Sequence, residues 1–310
     1  MNNTIDTSKA KQLLEATIVR IDGAYAASTI RAYQSNFIKF IDYCELVGAE
    51  ALPAEPETIA AFVEKLTEGR YRSSTIRQVV ASIASIHTLN NYANPTTHSE
   101  VRIAVKRMHR KIGRFCQQAS GITKDLLDEM LKVTDDSLRG LRDRALLLVA
   151  YDTMCRRSEI VKLMVDDVDV QVIDRRNNIE SMVIFIEQSK TDQEANGKWL
   201  RISKETSGAI KDWIRYAGIR DGRLFRGVDR RNTVTPDLTS GQICKIYKRL
   251  AREAGFGEDF VKHVSGHSMR VGAAQDLLLS GATLPMMMAK GRWSKPDTVM
   301  RYVEMIGGAL

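Results

Sequence analysis

Apolar positions in the first third of the chain recur at helical spacing. In Ser28–Gly48, Ile30, Tyr33, Phe37, Ile41 and Cys44 share one face, with Ser28 placed to cap the start and Gly48 to end it. Pro56–Gly69 opens with proline in a first turn, where no N–H is required, and closes with glycine. Ser73–Asn91 carries Ile76, Val80, Ile83 and Ile86 or His87 at the same period. Val101–Arg114 sets Val101, Val105 and Met108 against Arg102, Lys106 and Arg110. Four short amphipathic helices with short connections predict a helical domain over residues 1–115. Periodicity lapses across Gly113–Asp125, and a linker is expected at 116–125.

Residues 126–310 mix two periods. Thr123 is placed to cap a helix in DLLDEMLKV, and Leu138–Met154 is apolar enough to be a buried helix. Ser181–Asp192 alternates and is rich in β-branched residues, Gly197–Ser203 reads as a second strand, and Met164–Ile173 supplies a third. KTDQEANG between them reads as a turn. Helices return in KETSGAIKDWIRYAG, TSGQICKIYKRLAREAG, HSMRVGAAQDLLLSG, LPMMMAKGRW and PDTVMRYVEM. The fold class is therefore mainly α with a small antiparallel β-sheet: an all-helical N-terminal domain followed by an α+β domain.

No apolar run approaches the roughly 18 residues of a membrane span, and the N-terminus has no apolar signal core. Cys44, Cys116, Cys155 and Cys244 form no CxxC motif and read as small, reduced core residues, which places the chain in a cytoplasm.

Net charge is +8, divided as +4 over residues 1–120 and +4 over 121–310, so a polyanion could touch both parts. The sharpest excess is Val101–Arg114, with six Lys and Arg and no acid. A solvated face explains one such run about as well as phosphate contact; six uncompensated charges favour phosphate.

Candidate chemistry is scattered along the second part. Arg156, Arg157 and Glu159 stand in TMCRRSEIVKL where a buried helix gives way to another; Lys190 stands in QSKTD at a strand end. His267 and Arg270 open one helix, Trp293 lies in KGRWS, and Tyr302 lies in VMRYVE. Taken singly, each is more often a surface or packing residue. Together they supply what phosphoryl transfer needs: fixed cations for the phosphoryl oxygens, a hydroxyl nucleophile and a proton donor. No G-x-x-x-x-G-K-[ST] loop or H-E-x-x-H motif is present.

The order Arg–Glu–Lys–His-x-x-Arg–Trp–Tyr, with GHSMRVGAA, GRWS and VMRYV, resembles the tyrosine recombinase (phage integrase) family over nearly the whole chain. The separations fit: three residues from His267 to Arg270, 23 to Trp293 and nine more to Tyr302. The resemblance implies a DNA core-binding domain at 1–115 and a catalytic domain at 126–310. It implies that Tyr302 is the nucleophile, Arg156 and Arg270 the phosphate clamp, and Lys190 the general acid. His267 and Trp293 would donate to the phosphate or shape its pocket, with Glu159 as a supporting acid. Arg156 fits the first arginine slot better than Arg157, and Met154 stands where glycine is usual.

The implied reaction cleaves and rejoins DNA through a 3′-phosphotyrosine and a Holliday junction, with no cofactor, metal or ATP. Implied partners are duplex DNA with an inverted-repeat target and a homotetramer on two sites, built from monomers or dimers, in the prokaryotic cytoplasm or nucleoid. Arg72, Arg77, Gln78, Lys106 and Arg107 are candidate DNA contacts of the first domain. Other readings on this scaffold are a catalytically silent DNA-binding protein and an enzyme like a type IB topoisomerase or telomere resolvase. Two departures from the family pattern are expected: a longer loop around Val172–Ser181, and a different exchange contact between subunits, since only eight residues follow Tyr302.

Overall fold

The computed structural model describes residues 7–114, 118–174, 179–187 and 197–307. The chain divides into two compact units, Met1–Gln117 and Gln118–Leu310.

The first unit is helical: α1 (Thr7–Arg20), α2 (Ala27–Val47), α3 (Pro56–Glu68), α4 (Ser73–Leu89) and α5 (Ser99–Ile112). The four helices expected from periodicity are present, and α1 is an addition. α2 buries Ile30, Phe37, Phe40, Ile41 and Cys44, and Gly48 in the left-handed region returns its N–H to Cys44. Ser28 does not cap α2; Ala26 holds that place without a side-chain bond. His87 is fully buried between Ala54 N–H, which donates to Nε2 at 2.9 Å, and the Ile83 carbonyl, 2.8 Å from Nδ1. Its ring is thus held neutral with the proton on Nδ1. Burial pushes its pKa down, against the Ile83 contact.

The second unit begins with α6 (Lys124–Lys132), α7 (Leu138–Thr153) and the short α8 (Arg157–Ile160). Ser137 caps α7 at 3.1 Å from Gly140 N, and the helix is buried on nearly every side from Leu141 to Ala150. A three-stranded antiparallel sheet follows, ordered β1 (Val168–Asp174), β2 (Ile179–Ile186) and β3 (Lys198–Arg201). Val168 pairs with Ile184, which pairs with Leu200; Ile184, Ile186 and Leu200 face the core.

The first strand starts four residues later than its pattern predicts. The Asp167 carboxylate accepts the Met164 N–H at 2.8 Å and draws Val165–Asp167 into a 3-10 turn. Lys190–Asn196 of the turn KTDQEANG, and Cys116, lie outside the described residues.

The rest is α9 (Lys204–Tyr216), the two-residue pair β4 (Gly227–Val228) and β5 (Val234–Thr235), then α10 (Ser240–Glu253), α11 (Glu258–His263), α12 (Ser268–Leu279), α13 (Leu284–Gly291) and α14 (Pro296–Gly307). The expected linker 116–125 is not free over its second half. Ser120 N–H donates to His263 O at 3.2 Å and Ile122 N–H to Ser268 O at 2.9 Å, while Ile122 itself is buried in the second core. Gly272 allows that approach: a Cβ there would overlap the Ile122 carbonyl. A smaller cluster of Met154, Ala273, Ala274, Met287, Trp293 and Val299 joins the end of α7 to α12, α13 and α14. No described helix is long and apolar enough to cross a membrane.

Candidate active site

The site is built where α7 stops. Met154 takes the left-handed conformation (φ 51°, ψ 29°) and turns the chain so that Arg156 becomes the N-cap of α8. Glu159, three residues on, closes the turn. Its Oε2 accepts the Arg156 backbone N–H at 2.9 Å and its Oε1 accepts Arg156 Nη1 at 2.7 Å. The carboxylate is 6% exposed. Burial alone would raise its pKa; Arg292, then the bonds from Arg156, outweigh that and hold it below the usual carboxylate value.

Arg156 and Arg157 face different ways. Arg156 is half-buried against Glu159. Arg157 is exposed, with Nη1 3.2 Å from Cys244 Sγ, and its side chain fills the space a Cβ on Gly266 would need.

α12 supplies the second group. His267 is its N-cap, exposed at the surface, with its backbone N–H donating to Ser265 Oγ at 3.1 Å. The surrounding protein partly desolvates the imidazole and the guanidiniums of Arg270, Arg156 and Arg157 lie near, so its pKa is pushed down. One turn in, Arg270 is 2% exposed. Nη1 donates to Met154 O at 2.6 Å and Nη2 donates to Gly291 O. Burial foremost, then Arg156 and Arg292, bring its pKa down to about 10.

The third group comes from the last two helices. α13 ends on Arg292 in the left-handed region (φ 53°), and Trp293 follows with its indole 4.5 Å from the Arg270 guanidinium. Gly291 must lack a Cβ, because one there would overlap the Trp293 ring. Tyr302, half-buried on α14, tilts against Trp293 with centroids 5.6 Å apart. Val271 is buried and Leu277 and Leu278 are partly buried, which anchors α12 behind these groups.

Arg156, Glu159, His267, Arg270, Trp293 and Tyr302 are therefore neighbours, although up to 146 positions separate them. Lys190 lies outside the described residues. Arg292, which the sequence pattern does not single out, also belongs here: Nη2 donates to Glu159 Oε2 at 2.8 Å and Nη1 to Thr153 O at 3.0 Å. Chemically, the arrangement gathers guanidinium groups, an imidazole and a phenol in one neighbourhood. In the first unit, Arg72 caps α4 and is exposed, as are Arg77 and Gln78 on α4 and Lys106 and Arg107 on α5. Arg107 spends part of its charge on Glu64 at 3.3 Å.

The chain is similar to several known proteins. The model of the phage integrase family matches residues 121–306. An integrase/recombinase XerD homolog of Selenomonas ruminantium is 29% identical over 299 residues, covering 92% of this chain and 84% of that protein. Recombinase Cre of Escherichia phage P1 is 25% identical over 296 residues, covering 90% and 84%. Among solved structures, XerH site-specific recombinase in a post-cleavage complex with palindromic difH substrate superposes with a TM-score of 0.64 at 15% identity, covering 97% of this chain and 86% of that one. At that identity the likeness is one of fold.

Proposed function

The chain belongs to the phage integrase family, and from that premise we propose that it is a site-specific tyrosine recombinase acting on duplex DNA. It breaks and rejoins strands. The Tyr302 oxygen attacks the scissile phosphorus, forming a 3′-phosphotyrosyl bond as the bond to the 5′-oxygen breaks. The phenol proton leaves to a base or water, and Lys190 protonates the departing 5′-oxygen. Arg156 and Arg270 hold the non-bridging oxygens, and their fixed charge is worth most where negative charge develops. His267 and Trp293 complete the pocket. The phosphotyrosine conserves the phosphodiester, so a second 5′-hydroxyl reverses the step on a new strand without ATP. Two such exchanges pass through a Holliday junction.

One observation supports this reading: Arg270 lies on the indole against which Tyr302 packs, so a buried guanidinium and a phenol meet at one aromatic side chain. The finer assembly follows the family: residues 1–115 bind the target core, 126–310 catalyse, and a homotetramer joins two inverted-repeat sites in a prokaryotic cytoplasm or nucleoid.

The test is incubation with DNA flanking the coding sequence, followed by denaturing gels for a protein–DNA adduct. Wild type forms one at an inverted repeat; Tyr302→Phe binds the same duplex and forms none. An adduct that survives Tyr302→Phe, or a wild type that binds its site and never forms one, ends the assignment. Recombinant circles from a two-site plasmid distinguish recombination from relaxation or hairpin formation.

A further inference from the structure

We propose that Arg292 is a positioning residue for strand cleavage: acting through the Glu159 carboxylate, it holds Arg156 in place and keeps that guanidinium's charge available to the scissile phosphate. This rests on the reading above, in which Arg156 clamps phosphate.

The geometry is a bridge. The buried Glu159 carboxylate joins two arginines, taking Nη1 of Arg156 on one oxygen and Nη2 of Arg292 on the other. Arg292 is itself held: its side chain is 7% exposed, Nη1 donates to Thr153 O at 3.0 Å, and Nη2 also lies 3.5 Å from Cys155 Sγ. It therefore reaches from the residue before Trp293 back to the junction that orients Arg156. The segment carrying indole and phenol is thus tied to the clamp through this side chain, in addition to the bonds of Arg270.

Charge gives the bridge its purpose. A lone Arg156–Glu159 pair would be close to neutral, and a neutral pair attracts phosphate weakly. With Arg270 and Arg292 present, three guanidiniums surround one carboxylate, and the group keeps a net positive charge of two. Without Arg292 it falls to one.

The same bridge fixes the protonation of Glu159. Burial pushes that carboxyl up, and Arg292 leads the groups that pull it down. Facing it are Arg156 and Cys155 from its own junction, Arg292 from the end of α13, and His267 and Arg270 from α12; α10 brings Cys244 against Arg157. With Arg292 gone, burial is opposed chiefly by Arg156. The carboxyl then takes a proton at higher pH and loosens its hold on Arg156.

Arg292→Met and Arg292→Lys are compared with wild type in single-turnover cleavage of a nicked duplex bearing the target that yields the adduct. At saturating protein, Arg292→Met cleaves the bound duplex about 10–100-fold more slowly, the range seen where a group supporting a ligating side chain is removed. The acid limb of its pH–rate profile moves to higher pH. Arg292→Lys restores the limb and most of the rate. A Met variant that cleaves at the wild-type rate, or slowly with an unmoved acid limb, overturns the proposal. Carboxyl carbon-13 titration of Glu159 in the protein alone gives a second readout: a raised midpoint in Arg292→Met supports the bridge, and an unchanged one overturns it. Failure of wild type to form any adduct would sink the recombinase reading instead, leaving the titration to decide the role of Arg292.

Discussion

The guanidinium of Arg270 lies 4.5 Å from the centre of the Trp293 indole, and the ring of Tyr302 packs on the same indole. The cation and the phenol thus both pack on one aromatic side chain. Each depends on the position of the other through a contact that tolerates little change in shape.

Arg270→Met separates function from stability. Burial and like charges depress the Arg270 pKa from 12.5 to about 10, a penalty on the charged form of roughly 3 kcal/mol. Against that, the Met154 and Gly291 carbonyls lose their donor, at about 1–3 kcal/mol each. The terms oppose, so unfolding free energy should change by no more than about 2–3 kcal/mol. Cleavage should fall by about 10²–10³. Calorimetry and adduct kinetics on the same preparation check both; unimpaired cleavage would remove Arg270 from the clamp.

Acid should destabilise the chain in a defined window. His87, His109 and His267, three of its five histidines, have pKa values pushed down in the folded state, each chiefly by desolvation. Arg114 and Arg77 add to this at His109, and Arg270, Arg156 and Arg157 at His267. Unfolded, each titrates near about 6.5. Between the depressed values and that pH the unfolded chain binds more protons, so stability rises with pH and is lost on acidification. The thermal midpoint measured against pH should fall below about 6.5, and His267→Gln should flatten part of the slope. A midpoint that rises on acidification there contradicts the assignment.

Gly272→Ala should loosen the start of the second unit. The added methyl would meet backbone at Ile122, which cannot rotate away as a side chain can. A loss of about 1–3 kcal/mol is expected, with faster hydrogen exchange at Ile122 N–H. By contrast, Gly208→Ala meets open space on α9 and should be neutral or slightly stabilising.

In the first unit, replacing Arg77 or Lys106 by alanine should weaken DNA binding at every sequence and reduce the slope of log affinity against log salt by about one each. Arg107→Ala should cost less, since Glu64 already takes part of that charge. Fluorescence anisotropy over a salt series measures all three. Unchanged slopes for Arg77 and Lys106 would place the DNA elsewhere.

The long helices were legible because each hides one apolar stripe. The helix α1 was not: its buried positions are Ala10, Leu14 and Thr17, a stripe too small and too polar to stand out. The pair β4–β5 and the six-residue α11 are shorter than any periodicity can mark. At the site, the motif order led to Arg156, His267, Arg270, Trp293 and Tyr302. Arg292 escaped notice because its partner Glu159 lies 133 positions away. GRWS carries no local sign of that pairing; only the folded chain joins them.

Met154 accepts a backbone strain of about 1–2 kcal/mol that glycine would avoid. Its side chain, fully buried behind Trp293, offsets more than that, since emptying such a site costs about 2–5 kcal/mol. Met154→Gly would therefore relax the turn yet leave a hole beside the indole, which only an enlargement nearby, at Ala273 or Ala274, could refill.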